Sequence, residues 1–209
     1  MPVNDLANYP DSHFAGDVVR IDSLRDWRET MISDGLDATE VEQVISYARL
    51  SREDAERVIG RVFEPMSPTP PFFSVRRYGD GGHPVLYTAM EQTTAQDEVV
   101  YYLEGSDWIK LGHPIFKDVF TVSVAGRAKD LRHLRAEAPE LTSNDYGRCW
   151  ELGRQAHTTS IDILLCPSAR SPGNTAPVFS RDAVGKVEVT SHLRFEWDDG
   201  LNRVRVTAF

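Results

Sequence analysis

Between residues 23 and 60 the apolar positions recur at helical spacing, and three segments open with a capping box. Ser23 with Asp26, Thr39 with Glu42 and Ser51 with Asp54 each place an acidic side chain three residues after a hydroxyl, the arrangement that satisfies the first free N–H groups of a helix. The second segment gathers Val41, Val44, Ile45 and Ala48 on one face, and the third gathers Ala55, Val58 and Ile59, while Gly35 separates the first from the second. Stripes this thin do not sustain isolated helices in water, so the unit needs another surface to pack on. Residues 1–60 are therefore expected to form an amino-terminal helical appendage.

The pattern then changes. Residues 65–72 (PMSPTPPF) contain four prolines, which rules out a regular helix or an inner strand and predicts an extended connector. Beyond it, 61–209 reads as a second domain. A short strand is predicted at 85–89, a helix at about 94–103, and a strand carrying Phe120, Val122 and Val124 on one face. A helix at about 144–156 aligns Tyr146, Cys149, Trp150 and Gly153. The run IDILLC at 161–166 predicts a buried strand closed by Pro167, and two alternating segments flank Asp198-Asp199-Gly200, a hairpin signal. The stretch 127–135 (RAKDLRHLR) has the spacing of a helix with a solvated basic face. Strands and helices without strict alternation predict an α+β fold, a mixed sheet with flanking helices.

Composition narrows the chemistry. Hydrophobic residues make up 41% and charged residues 26%, which suits a folded chain with a sizeable core. The balance of 23 Lys+Arg against 32 Asp+Glu leaves a formal charge of −9, so phosphate backbones are repelled and direct nucleic-acid binding is not expected. Cys149 and Cys166 match neither a zinc pattern nor a disulfide framework and fit buried free thiols. No apolar run reaches membrane-spanning length, and the first residues lack the apolar core of a signal peptide. A cytoplasmic setting without membrane association is expected. The histidines at 13, 83, 113, 133, 157 and 192 have no ligand spacing, so no metal is expected either.

The stretch 74–103 concentrates the candidate chemistry. The pair Arg76-Arg77 precedes the loop Gly79-Asp80-Gly81-Gly82, Tyr87 lies within the predicted strand, and Glu98 shares a helical face with Ala95 and Tyr102. Thr93 and Gln96 are read as capping that helix. A carboxylate among apolar neighbours is either paired or chemically useful, because desolvating it alone is costly. The glycine loop has the backbone N–H groups to cradle a phosphate, although such loops are more often plain turns.

The Arg77-Tyr78 pair, Tyr87 about ten residues on, and Glu98 eleven residues after that resemble the core of the RES family, named for an arginine, a glutamate and a serine. The second half agrees. Gly153 and the apolar strand lead into Cys166-Pro167-Ser168-Ala169-Arg170, then Gly173-Asn174 and Val178-Phe179, which resembles the family's P-S-A-R segment and supplies the serine as Ser168. The similarity spans roughly residues 60–197. Arg76 makes the choice of Arg77 a matter of spacing alone.

The resemblance implies an ADP-ribosyltransferase-like fold and the toxin half of a toxin–antitoxin pair. The partner it implies is an antitoxin with an Xre-like helix-turn-helix, and the substrate is NAD, cut between nicotinamide and ribose. Glu98 suits the stabilisation of an oxocarbenium-like ribose, Arg77 the pyrophosphate, Tyr87 stacking on nicotinamide, and Ser168 a bond to ribose or to the arginine. Two other functions stay open: transfer of ADP-ribose to a specific protein, and a non-catalytic module that only binds a partner.

Overall fold

The computed structural model describes residues 5–22, 35–37, 39–40, 52–68 and 71–208. Its centre is a mixed sheet. Strand β1 (Asp11–Asp22) is followed by helix α1 (Arg52–Arg61), helix α2 (Gln92–Glu104), the single turn α3 (Asp107–Lys110) and the long strand β2 (Ile115–Asp130). Helix α4 (Gly147–Thr158), strands β3 (Ile163–Pro167) and β4 (Asn174–Thr175), and the hairpin β5 (Val184–Asp198) and β6 (Arg203–Ala208) complete it. The strands run in the order β4-β3-β2-β5-β6, and β1 also pairs with β2. The β2–β3 pairing, with Ala128 opposite Ile163, is parallel; the other pairings are antiparallel. This is the expected α+β class.

Strand β2 is the spine, because its sixteen residues alternate well enough to serve both faces. Phe120, Val122 and Val124 are buried with Val18 and Val187 against α1, whereas Val119 joins Ile21, Phe195 and Ala95 beneath α2. The two faces follow from the period-two alternation of the strand, and two irregularities interrupt its ladder with β5. A third cluster, with Tyr78, Leu152 and Leu164, fills the space under α4. Burying a large apolar side chain contributes about 1.5–3 kcal/mol, so these three clusters hold the layers together.

The amino-terminal segment departs from the expected helical appendage. Residues 11–22 form a full-length strand, paired with β2 without interruption from Asp11↔Lys129 to Asp22↔Asp118. The boundary at residue 60 therefore cuts through the sheet. The physical reason lies in the β-branched run Val18, Val19 and Ile21, which favours extended backbone and has a partner in β2. Helix α1 is the third predicted helix; Ala55 and Ile59 are fully buried against the sheet, which answers the need of its thin stripe for a surface. The first predicted helix and most of the second lie outside the described residues.

Two other readings change. The segment 85–89 makes isolated bridges, Leu86 with Val178 and Ala89 with Val19 and Thr175, instead of a continuous strand. The basic stretch 127–135 divides between the end of β2 and a 3-10 turn at Arg132–Arg135. The parallel pairing with β3 holds its first half extended, and neither part is an α-helix.

Candidate active site

The site begins with how α2 is anchored. Its N-cap is Glu91, and no side-chain cap bond is made, so the expected capping by Thr93 and Gln96 is not realised. The Glu91 carboxylate instead accepts from the Thr94 hydroxyl (2.9 Å) and from the Asn174 N–H (3.3 Å). The Thr94 hydroxyl also meets that of Ser171 at 3.2 Å. These contacts tie the first turn of α2 to the loop 168–174. Gly173 permits the approach, since a Cβ there would lie 2.0 Å from Thr94 Oγ1.

One turn along α2, Glu98 faces that loop. Ser168 donates from its hydroxyl to Glu98 Oε1 at 2.6 Å and accepts from the backbone N–H groups of Arg170 (3.1 Å) and Ser171 (3.2 Å). Two donors entering the serine oxygen leave its single hydrogen for the carboxylate, so its polarity is set by the loop. Ser168 is 1% exposed, behind Glu98, whereas Glu98 is half-buried and lines the cleft. Arg135 fastens the loop from the far side by donating to the carbonyls of Ser168 (3.1 Å), Pro172 (3.0 Å) and Gly173 (2.6 Å). That arginine belongs to the stretch read from sequence as a solvated face.

The cleft in front of Glu98 has a volume of about 210 Å³. Arg77, Tyr87 and Tyr102 line it, together with Arg20, Asp22 and Lys117 from the ends of β1 and β2. Thus Arg77, Tyr87 and Glu98 share one cavity, and Ser168 touches it through Glu98. Four cations, Arg20, Arg76, Arg77 and Lys117, face two carboxylates, Asp22 and Glu98. In a chain carrying a formal −9 this is a local excess of positive charge suited to an anion.

The two adjacent arginines have different surroundings. Arg76 is exposed, and its carbonyl accepts from the Trp150 indole at 2.8 Å. Arg77 is 7% exposed; its Nη1 donates to the carbonyls of Ser143 (2.6 Å) and Leu141 (3.4 Å), and its guanidinium lies 4.7 Å from the Tyr146 ring centroid. The turn carrying it sits hard against α4. A Cβ on Gly153 would fall 1.9 Å from the Tyr78 carbonyl, so only glycine admits this packing.

Tyr87 is fixed at both ends. Its hydroxyl accepts from the Tyr78 N–H, and its carbonyl accepts from Arg20 Nη1 at 3.0 Å. Burial pushes the phenols of Tyr78 and Tyr87 well above their ordinary range, and burial followed by the Tyr146 hydroxyl, 3.1 Å away, does the same for Tyr102. The cleft tyrosines are therefore neutral donors and rings. Cys149 and Cys166 are buried free thiols, and desolvation raises both, which removes them as nucleophiles.

The glycine loop holds its own anion: the Asp80 carboxylate accepts from the Gly82 N–H (3.0 Å) and from Arg154 (2.7 Å), which makes it a turn braced to α4. Arg20, Asp22, Lys117 and Arg135 are the cleft and support residues that sequence reasoning missed. The β-branched residues around Arg20 were the available signal for a strand. Nothing local marked Arg135.

Residues 50–198 match the family model described as RES domain, well over half of the chain. No curated protein sequence matches it. Among solved structures, a chain from the crystal structure of the M. tuberculosis MbcT–MbcA toxin–antitoxin complex is similar, with a TM-score of 0.50 and 15% identity, over 88% of this chain and 89% of that one. At that identity the likeness is one of fold.

Proposed function

The chain belongs to the RES-domain family, and we propose that it is a toxin of a toxin–antitoxin pair that cleaves the nicotinamide–ribose bond of NAD. The observation that carries this reading is the Ser168–Glu98 hydrogen bond of 2.6 Å at the wall of a cation-rich cleft. As nicotinamide leaves as a neutral ring, positive charge develops on the ribose, and a preoriented carboxylate stabilises it. Ser168 occupies Oε1, and Oε2 has no hydrogen-bond partner among the described residues, so it is available to a ribose hydroxyl. Tyr87 offers a ring for nicotinamide, and the buried Arg77 supplies positive potential while holding the 141–146 segment against the turn that carries it.

A cavity of about 210 Å³ is below the roughly 300–1,000 Å³ of sites that enclose a drug-sized ligand. It suits the nicotinamide–ribose half of a dinucleotide, with the remainder laid outward over the cation-lined rim. The partner in this reading is an antitoxin of the Xre-like kind, acting in the cytoplasm. The fold shared with a chain of a toxin–antitoxin complex favours that partner over a solitary enzyme.

The deciding experiment is incubation of the purified chain with NAD, with and without phosphate, while nicotinamide and protein-bound ADP-ribose are followed. Free nicotinamide without labelled protein is the expected result. Label on a protein would convert the reading to protein ADP-ribosylation, and no nicotinamide at all would leave a binding module.

A further inference from the structure

We propose that Arg20, with Lys117 at the same corner of the cleft, forms its pyrophosphate-binding site, and that Arg77 acts as a positioning residue. The identification of the anion as a dinucleotide pyrophosphate rests on the NAD reading above; the anion site itself does not.

Arg77 is the more enclosed of the two arginines. It is 7% exposed, its Nη1 is committed to two carbonyls, and its guanidinium lies against Tyr146. Arg20 is placed otherwise. Asp22 Oδ2 accepts from its Nε (3.1 Å) and Nη2 (2.6 Å), and the Tyr87 carbonyl accepts from its Nη1 (3.0 Å). A guanidinium has five N–H donors in one plane, so two remain uncommitted among the described residues, one on each terminal nitrogen. Its side chain is 18% exposed, and it lines the cavity. The bracing fixes the fork in advance, and a fixed fork loses less freedom when it meets a phosphate than a solvated arginine such as Arg76.

Its position fits a dinucleotide. Tyr87 lines the cleft, its hydroxyl at the Tyr78 backbone and its carbonyl at Arg20. A nicotinamide riboside lying along Tyr87 beside Glu98 directs its 5′ substituent toward one end of that residue, and the end carrying Arg20 and Lys117 presents a braced guanidinium at the lip of β1. Asp22 keeps Arg20 oriented; it and Asp118, opposite it in the β1–β2 register, balance Arg20 and Lys117 in formal charge, so the corner's claim on a phosphate rests on the braced N–H fork.

The test uses inorganic pyrophosphate and the full chain. Calorimetric titration is expected to show binding to the wild type, weakened about tenfold or more in Arg20→Gln by loss of the charged fork. Arg20→Lys, which keeps the charge and the partner for Asp22, is expected to lose most of that affinity as well. Melting curves of both variants establish that they are folded. With NAD, Arg20→Gln is expected to raise KM about tenfold, while KM for nicotinamide riboside, which lacks the phosphates, shifts less than about twofold. The proposal is overturned if the wild type fails to bind pyrophosphate, if folded Arg20 variants bind it as tightly, if Arg76→Gln loses more, or if both substrates shift equally. Arg20-dependent pyrophosphate binding in a chain that releases no nicotinamide would leave the anion site standing and defeat the NAD reading instead.

Discussion

The two walls of the cleft are built on different principles. The wall carrying Glu98 is knotted by polar contacts: Glu91, Thr94, Ser168, Ser171 and Arg135 bond to one another or to the backbone of one short loop, and Gly173 lets that loop touch α2. The wall carrying Arg20 and Lys117 is held by strand register, and its side chains project from a backbone that pairs without them. A substitution in the first wall therefore disturbs stability and chemistry together. One in the second changes ligand contacts and leaves the sheet intact.

The sharpest separation comes from Glu98→Gln. The amide keeps the shape and the bond from Ser168 but loses the charge opposite the developing cation, so nicotinamide release is expected to fall by about 100-fold or more. Growth arrest on expression without an antitoxin should be relieved at equal protein levels. Equal turnover by a folded Gln variant would remove Glu98 from the chemistry.

Gly153→Ala tests the packing behind Arg77. The new Cβ meets a backbone carbonyl, not a side-chain tip that could rotate away, so about 3 kcal/mol of stability should be lost. A denaturant midpoint within experimental scatter of the wild type would show that α4 can back away from Tyr78 freely.

Ser168→Ala is expected to show the mixed effect that marks the knotted wall. It strands the Arg170 and Ser171 N–H groups and frees Oε1 of Glu98, for a stability loss of about 1–3 kcal/mol. Turnover per folded molecule should fall about tenfold, an order-of-magnitude expectation for a lost orienting hydrogen bond to a charged group. Loss of stability with full turnover would reduce the serine to a structural role.

The smallest effect belongs to Asp80. Burial works to raise its carboxyl, but the Gly82 N–H and Arg154 outweigh it and hold it below the usual carboxylate range. A lowered folded value stabilises the protein above the unfolded value of about 4, and that contribution is lost as pH falls through the folded value. Asp80→Asn should thus cost about 0.5 kcal/mol at neutral pH and progressively less below about pH 4, read from thermal melts across pH.

Local chemistry determined most of the elements. Period and turn signals were sufficient for α2, β3 and the β5–β6 hairpin, because each carries its hydrophobic period or its turn residues within its own length. Arg77, Tyr87, Glu98 and Ser168 were legible as candidates because residue type and spacing survive in one dimension, and the fold brings the first three to one cavity with Ser168 against Glu98. The role of Arg135 and the assignment of residues 11–22 to the sheet were not legible. Arg135 acquires its partners through a loop more than thirty residues away. Strand β1 is a strand because β2, about a hundred residues later in the chain, completes its hydrogen bonds. Pairing across that separation is settled by which surfaces can be buried together, and that depends on the whole fold. The same dependence divides Arg76 from Arg77: adjacent in sequence and identical in type, they differ because α4 and the 141–146 segment cover one and leave the other in water.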